Sequence, residues 1–163
     1  MPNWCSNYVT FTGSEDAIKT LTQTINNAIK TQAETREGQV LTGVMQDGYF
    51  FDLYLSDESK ESVTIMYETR WAPNIPDVSL TCKAFGVEAE HDYSEPAMDV
   101  EGTTKYKSDG TYEDDQIDER FLDLVWYNED DDIYVYLPTQ ERNECREELI
   151  DKYYPIWKLE NQD

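Results

Sequence analysis

The order of strand and helix patterns near the start of the chain constrains its fold more than any other sequence feature. Apolar and polar residues alternate over residues 7–12, which is typical of a strand with one buried face. Ser14 is suited to cap a helix, and the apolar residues after it recur at helical spacing: Ile18, Leu21, Ile25 and Ile29. The chain is therefore predicted to open with a strand and a helix that ends near Lys30.

Four more strand and helix patterns follow the first helix, and together with it they give the order of a known fold. Two strand patterns cover residues 49–55 and 62–71, a short helix pattern runs from Pro76 to Phe85, and an alternating strand pattern covers residues 87–93. The order β-α-β-β-α-β predicts an α+β fold: a ferredoxin-like antiparallel sheet with both helices on one face.

Extra strands and a helix are predicted after this part of the chain. Residues 98–105 form a strand pattern, and residues 121–127 and 133–137 predict a hairpin, although its first arm also fits a helix. Thr139 is suited to cap a last helix that ends near Tyr154, before Pro155. We expect a ferredoxin-like domain over residues 1–106 and an acidic extension over residues 107–163, packed together as one compact unit.

Acidic residues are concentrated in the second part of the chain. Of the 35 Asp and Glu residues, 24 lie after Gly86 together with 7 Lys and Arg, whereas residues 1–86 hold 11 acids and 6 bases. The net charge of -22 disfavours direct binding to nucleic acid or to an anionic membrane, because both are polyanions. An aromatic content of 13% distinguishes the chain from disordered acidic tails. We therefore expect a folded protein whose partner is basic.

The N-terminal residues resemble a known family. The run MPNWCSN, Met1 to Asn7, is followed by a strand, Gly13 and a helix, and Trp71-Ala72-Pro73 precedes a second, short helix. This arrangement resembles the YubB-like family of plasmid, phage and genomic-island proteins over residues 1–106, most specifically over residues 1–13. The resemblance implies a ferredoxin-like fold and an origin on a mobile genetic element. It implies no activity and no catalytic residues, and it does not extend to residues 111–163.

The acidic side chains are candidates for a partner-binding surface that mimics nucleic acid. B-DNA carries one negative charge per ~1.7 Å of axis. Acids at alternate positions of one strand lie about 6.7 Å apart, so three or four adjacent rows would be needed. A solvated acidic face is the alternative interpretation. The predicted partner-binding residues are Glu88, Glu90, Asp92, Asp99, Glu101, Glu113, Asp114, Asp115, Asp118, Glu119, Glu129, Asp130, Asp131 and Asp132.

Neither a metal site nor a catalytic site is predicted. The consecutive carboxylates of residues 129–132 do not have the spacing of an EF-hand, and neighbouring side chains of extended chain point apart. Cys5, Cys82 and Cys145 are odd in number and widely separated, which predicts reduced, mostly buried thiols. His91 shares a predicted strand face with apolar residues, so we expect a partly buried, hydrogen-bonded imidazole. No local signature supports a nucleophilic dyad between His91 and a cysteine, and no cofactor is expected.

The aromatic residues have two interpretations. They could form a stacking platform like that of ferredoxin-like RNA-binding domains, but such platforms combine aromatic with basic residues, which are scarce here. Packing in cores and interfaces is the expectation, and an exposed cluster would indicate a protein partner. The residues concerned are Trp4, Trp71, Trp126, Trp157, Tyr8, Tyr49, Tyr54, Tyr67, Tyr134 and Tyr136.

These features together predict a non-enzymatic, cytoplasmic interaction protein of a mobile genetic element. The chain opens without the basic segment and apolar run of a signal peptide, and no stretch approaches the ~20 apolar residues of a membrane span. Its expected partner is a basic surface on a host protein, such as a nucleic-acid-binding or defence protein. The alternatives are a structural or oligomeric accessory protein whose acidity only solubilises it, and an unrecognised enzyme. The sequence does not determine the oligomeric state.

Overall fold

The computed structural model describes residues 2–162 of the chain. Met1, the first residue of the run MPNWCSN, lies outside the described residues. The chain divides into two compact units, one up to Gln116 and the other from Ile117. The expected domain boundary at residue 106 falls between two strands that pair with each other, so the first unit continues to Gln116.

An antiparallel sheet forms the framework of the first unit. Its strands are β1 (Trp4–Thr12), β2 (Phe51–Glu58), β3 (Ser62–Arg70), β4 (Glu88–Glu95), β5 (Val100–Tyr106) and β6 (Tyr112–Gln116). They lie in the order β2-β3-β1-β4-β5-β6, and each pairs antiparallel with its neighbours. The segment β2-β3-β1-β4 is the arrangement of a split β-α-β-β-α-β unit. The predicted ferredoxin-like fold is confirmed, and β5 and β6 extend its sheet.

Two helices, α1 (Glu15–Thr35) and α2 (Ile75–Phe85), pack on one face of this sheet. The Ser14 hydroxyl accepts a hydrogen bond from the Ala17 N–H at 3.2 Å, which confirms the predicted cap of α1. Gly86 ends α2 with a φ of 65°, as the sequence predicted. The residues shared between helices and sheet form the core: Ile18, Leu21, Ile25, Val78 and Cys82 from the helices, and Val9, Phe11, Val63, Ile65 and Ala89 from the strands.

Helix α1 continues five residues beyond the predicted end at Lys30. Its last turn is mostly polar and exposed, so the apolar spacing carried no signal for it. No helix within residues 2–162 combines the length and apolar content needed to cross a bilayer.

The second unit has its own small sheet and core. Its elements are α3 (Glu119–Leu122), β7 (Val125–Asn128), β8 (Ile133–Tyr136), β9 (Glu141–Asn143) and α4 (Arg146–Glu160). The antiparallel pair β7-β8 confirms the predicted hairpin, and residues 129–132 form its tip. Its core contains Phe121, Leu122, Val125, Tyr136, Leu149 and Ile150.

The predicted start and end of the last helix were wrong, and the first hairpin arm agrees in part with each of its two interpretations. The first hairpin arm contains both a helical turn, α3, and a strand, β7. Strand β9 occupies the residues expected to begin the last helix, and Cys145 rather than Thr139 precedes α4. Helix α4 also continues through Pro155. The rings of Tyr154 and Trp157 both pack on Phe121, and this packing favours a helix that extends beyond the proline.

Candidate binding face of the sheet

The face of the first sheet that lies opposite the helices, here called the outer face, carries many of the acidic candidates. Along β4, the exposed residues Glu88, Glu90 and Asp92 alternate with buried residues. Cross-strand partners share a face, and Lys105 of β5 lies opposite both Glu90 and Glu113. The six predicted acids on this face are called the acidic rows: Glu88, Glu90, Asp92, Glu101, Glu113 and Asp115.

A cleft of about 480 Å³ lies beside the acidic rows. The Oδ1 of Asp92 accepts a hydrogen bond from the Thr103 hydroxyl at 2.6 Å, which helps to orient one carboxylate. With three carboxylates and one ammonium, the lining suits a cationic group better than an anionic one. Its lining includes Tyr8, Thr10, Glu88, Glu90, Asp92 and Lys105.

Two other predicted acids of the first unit lie elsewhere. Asp114 projects from β6 on the side opposite the acidic rows, and its Oδ1 accepts hydrogen bonds from Tyr93 and Thr104, each at 2.8 Å. The Tyr93 pKa is raised by burial and by the hydrogen bond to Asp114, so the phenol stays protonated and donates. Asp99 lies in the turn after β4, next to a 3₁₀ turn at Pro96–Met98. Neither belongs to the acidic rows.

The six remaining predicted acids belong to the second unit: Asp118, Glu119, Glu129, Asp130, Asp131 and Asp132. Several are engaged locally. Asp131 at the hairpin tip pairs with Arg142, and Asp118 pairs with Arg120 at 2.8 Å. The hydrogen bonds from Arg120 hold the pKa of Asp118 below its usual range. Within residues 2–162, no three His, Cys, Asp or Glu side chains are grouped so that they could hold a metal ion.

The other half of the outer face, on β2, β3 and β1, carries a group of side chains here called the aromatic patch: Trp4, Tyr8, Phe51, Tyr54 and Met66. Met66 lies opposite both Tyr8 and Tyr54, so these three side chains form one row across the strands. The rings of Trp4 and Phe51 meet edge to face, with centroids 5.2 Å apart. The Arg70 guanidinium carbon lies 4.9 Å from the Phe51 centroid and 5.9 Å from the Trp4 centroid.

Only some of the aromatic residues therefore pack in a core. Tyr67 is buried as expected, and its hydroxyl donates to the Asn74 Oδ1 at 2.7 Å. Trp4, Tyr8 and Tyr54 are exposed instead. The sequence held a signal for this, because Tyr8 alternates with Val9, whose side chain belongs to the core.

A buried polar network lies on the side of the sheet that faces the helices. His91 is fully buried; its Nδ1 lies 2.9 Å from the Tyr106 hydroxyl, and its Nε2 lies 2.8 Å from the Asn7 Oδ1. Burial lowers the pKa of His91 to about 3, so the imidazole is neutral near pH 7. The predicted hydrogen-bonded histidine is confirmed, with deeper burial than expected. Asn7 and Tyr106 were missed as partners because strand register, not local pattern, brings them to His91.

The cysteines are unpaired thiols, in agreement with the sequence prediction. Cys5 and Cys82 are fully buried, and burial raises the pKa of Cys5 to about 11 and that of Cys82 to about 12. Cys145 is partly exposed, and its Sγ donates to a Glu147 carboxylate oxygen at 3.2 Å. The environments of Cys5 and Cys82 therefore oppose formation of the thiolate that nucleophilic chemistry needs.

Comparison with known proteins identifies the domain type. Residues 50–139, more than half of the 163 residues, match the family model described as the ferredoxin-like domain in Api92-like protein. The matched segment begins just before β2 and ends after β8. No curated protein and no solved structure matches the chain.

Proposed function

The chain belongs to the Api92-like family of ferredoxin-like domains, and we propose that it is a non-enzymatic interaction protein whose outer sheet face binds a basic surface of another protein. In this proposal the acidic rows replace the phosphates of a nucleic acid on a protein that normally binds one. The target surface is rich in Lys and Arg, because such a surface gains most from the carboxylates.

The convergence of the acidic rows on three adjacent strands carries this proposal. In sheet register, the six carboxylates extend from Glu88 to Glu101, which lies opposite Ser94. At 3.3–3.4 Å per residue this distance is about 20 Å, or roughly one carboxylate per 3.4 Å of strand axis. One strand of B-DNA carries a phosphate about every 3.4 Å, so the rows approach the linear charge density of a single nucleic-acid strand before the charge of Lys105 is subtracted.

The cleft adds a place for a cationic side chain. Along β1 it offers the Tyr8 and Thr10 hydroxyls as hydrogen-bond partners, beside the three carboxylates of β4. A Lys or Arg side chain there would exchange water for charge-assisted hydrogen bonds. The acidic rows therefore attract a basic surface over long range, and the cleft can in addition bind a single Lys or Arg side chain of that surface.

The biological setting is part of the same proposal. The resemblance of residues 1–13 to the YubB-like family supports an origin on a plasmid, phage or genomic island. For a protein of such an element, host defence enzymes that bind nucleic acid are natural targets. The protein would act on them in the cytoplasm. An acidic protein that occupied the nucleic-acid groove of such an enzyme would block it without catalysis.

The test uses capture of host proteins by the immobilised full-length chain at about 50 mM and about 500 mM NaCl. We expect nucleic-acid-binding proteins to be retained at low salt and released at high salt. The same captured protein should lose affinity by about tenfold for the variant E88Q/E90Q/D92N, because three carboxylates of the cleft are neutralised.

A matched control separates this surface from net charge. The variant E34Q/E37Q/D47N removes the same amount of negative charge at exposed positions of the first unit that lie outside its sheet, and it should bind as the wild type does. Equal loss in both variants would show that binding depends on net charge alone. Capture of no basic protein at low salt would refute the proposed function.

A further inference from the structure

We infer that the aromatic patch and the acidic rows are two halves of one docking surface, whose occupant is a basic amphipathic segment of a protein; this inference rests on the proposed function. In the occupant, apolar side chains would lie on the aromatic patch, and Lys or Arg side chains would enter the acidic cleft.

The first support is exposure of the aromatic patch. Trp4 is 42% exposed, Tyr8 43%, Tyr54 61% and Met66 45%, although all four lie on one sheet face, where Tyr8, Met66 and Tyr54 are cross-strand neighbours. Contiguous exposed apolar side chains of this kind mark binding surfaces, and aromatic residues and Met are enriched at protein interfaces. Scattered exposed apolar residues would carry no such meaning.

The second support is continuity between the two halves. Tyr8 lies opposite Met66 on one side and opposite Asp92 on the other. Tyr8 also lines the acidic cleft. A segment about three strands wide, roughly 10–15 Å, could therefore contact the aromatic patch and the carboxylates at the same time.

Charge decides which occupant fits. Nucleic acid would stack on the aromatic residues but would bring phosphates toward the acidic rows. A second copy of the chain would also be repelled, since each copy carries a net charge of -22. A basic amphipathic protein segment is attracted to both halves, and this is the occupant to which we commit.

The test measures binding of two synthetic peptides to the full-length chain by fluorescence anisotropy at about 50 mM NaCl. The two peptides have equal length and equal numbers of Lys; one also carries Leu residues, and the other has Ser in their place. We expect the Lys/Leu peptide to bind about tenfold more tightly than the Lys/Ser peptide. The variant Y54T/M66T should lose this difference and keep its affinity for the Lys/Ser peptide, since Thr preserves the preference for a strand.

The matched control is V44T/M45T, which replaces two exposed apolar residues outside the sheet and should behave as the wild type does. Equal binding of both peptides, lost in E88Q/E90Q/D92N, would overturn this inference and leave the proposed function standing. Failure of both peptides to bind would instead count against the proposed function. A single-stranded oligonucleotide that binds wild type but not Y54T/M66T, or self-association that depends on the same two residues, would overturn the choice of occupant.

Discussion

The His91 imidazole and the Asn7 side chain share a buried hydrogen bond, with 2.8 Å between His91 Nε2 and Asn7 Oδ1. Asn7 also uses its Nδ2 to donate to the Cys5 carbonyl and to the Thr69 hydroxyl, each at 2.9 Å. The Asn7 oxygen can only accept, so His91 carries its proton on Nε2. Its Nδ1 then accepts from the Tyr106 hydroxyl. The network thus fixes His91 as one neutral tautomer.

This arrangement makes the stability of the fold sensitive to acid. The pKa of His91 falls from its ordinary 6.5 to about 3 on folding, so between these values the unfolded chain binds a proton that the folded chain does not. The contribution of neutral His91 to the free energy of unfolding is therefore greatest above pH 6.5, and it decreases as the pH falls. We expect a loss of about 2 kcal/mol between pH 7 and pH 5 from this residue alone.

Urea unfolding of the wild type and of His91→Gln at both pH values measures the effect. Gln cannot titrate, so the variant should show less acid destabilisation, even though its stability at pH 7 is lower. Parallel pH dependence in the two proteins would contradict the assignment. The comparison between variants also removes the shared titration of the carboxylates.

Gly102 of β5 is a second sensitive position. A Cβ there would lie 2.5 Å from the Tyr93 hydroxyl and 2.6 Å from the Asp115 carbonyl oxygen. Because one neighbour is backbone of β6, Gly102→Ala should shift that strand and lower the free energy of unfolding by about 1–3 kcal/mol. Gly48→Ala is the control, since its Cβ would meet Asn74 at an ordinary 3.6 Å. Equal unfolding midpoints for the two variants would show that β6 yields without strain.

Asp77 holds the loop that precedes β2. Its carboxylate accepts hydrogen bonds from the backbone N–H groups of Gln46, Asp47 and Gly48, at 2.7, 2.9 and 3.0 Å. Asp77→Ala should cost about 3 kcal/mol and increase amide exchange in this loop, because three donors lose a charged acceptor. Asp47→Ala keeps its backbone donor and should change stability by less than about 0.5 kcal/mol. Unchanged exchange in Asp77→Ala would mean that another group orders the loop.

The acidic rows should reduce stability at low salt. Glu88, Glu90 and Asp92 project from the same side of β4, and their mutual repulsion opposes the folded state. In thermal unfolding at low salt, the free energy of unfolding of E88Q/E90Q/D92N should exceed that of the wild type by about 0.5–1 kcal/mol. This difference should disappear at about 500 mM NaCl, because the salt screens the charges. A salt-independent difference would point to packing instead. The control E34Q/E37Q/D47N should gain less.

Local patterns predicted α1, α2 and the strands β1 to β5 because each carries a readable pattern, whereas β6, whose five residues are all exposed, was not predicted. The alternation of Glu88, Glu90 and Asp92 with buried residues placed the acids of β4 on the exposed face before any pairing was known. The pairing itself was not predictable, since register depends on partners far away in the chain. For this reason only the structure shows that Asp115, rather than Asp114, shares a face with the acids of β4.

The second unit was predicted less well because its signals conflict. Pro155 favours a helix end, yet contacts with Phe121 favour continuation. The strand β9 is only three residues long and polar, so it has no measurable period. Short elements of this kind are defined by their neighbours rather than by their own sequence.

The stack of Arg70 with Trp4 and Phe51 has a consequence for any encounter at the outer face. The three side chains come from β3, β1 and β2 and hold one another through ring and guanidinium contacts. These contacts restrict the rotamers of the three side chains before a partner arrives, so less entropy is given up on association. We therefore expect partners of this surface to differ mainly in their residence time. Differences in affinity among them should be found in the dissociation rates rather than in the association rates.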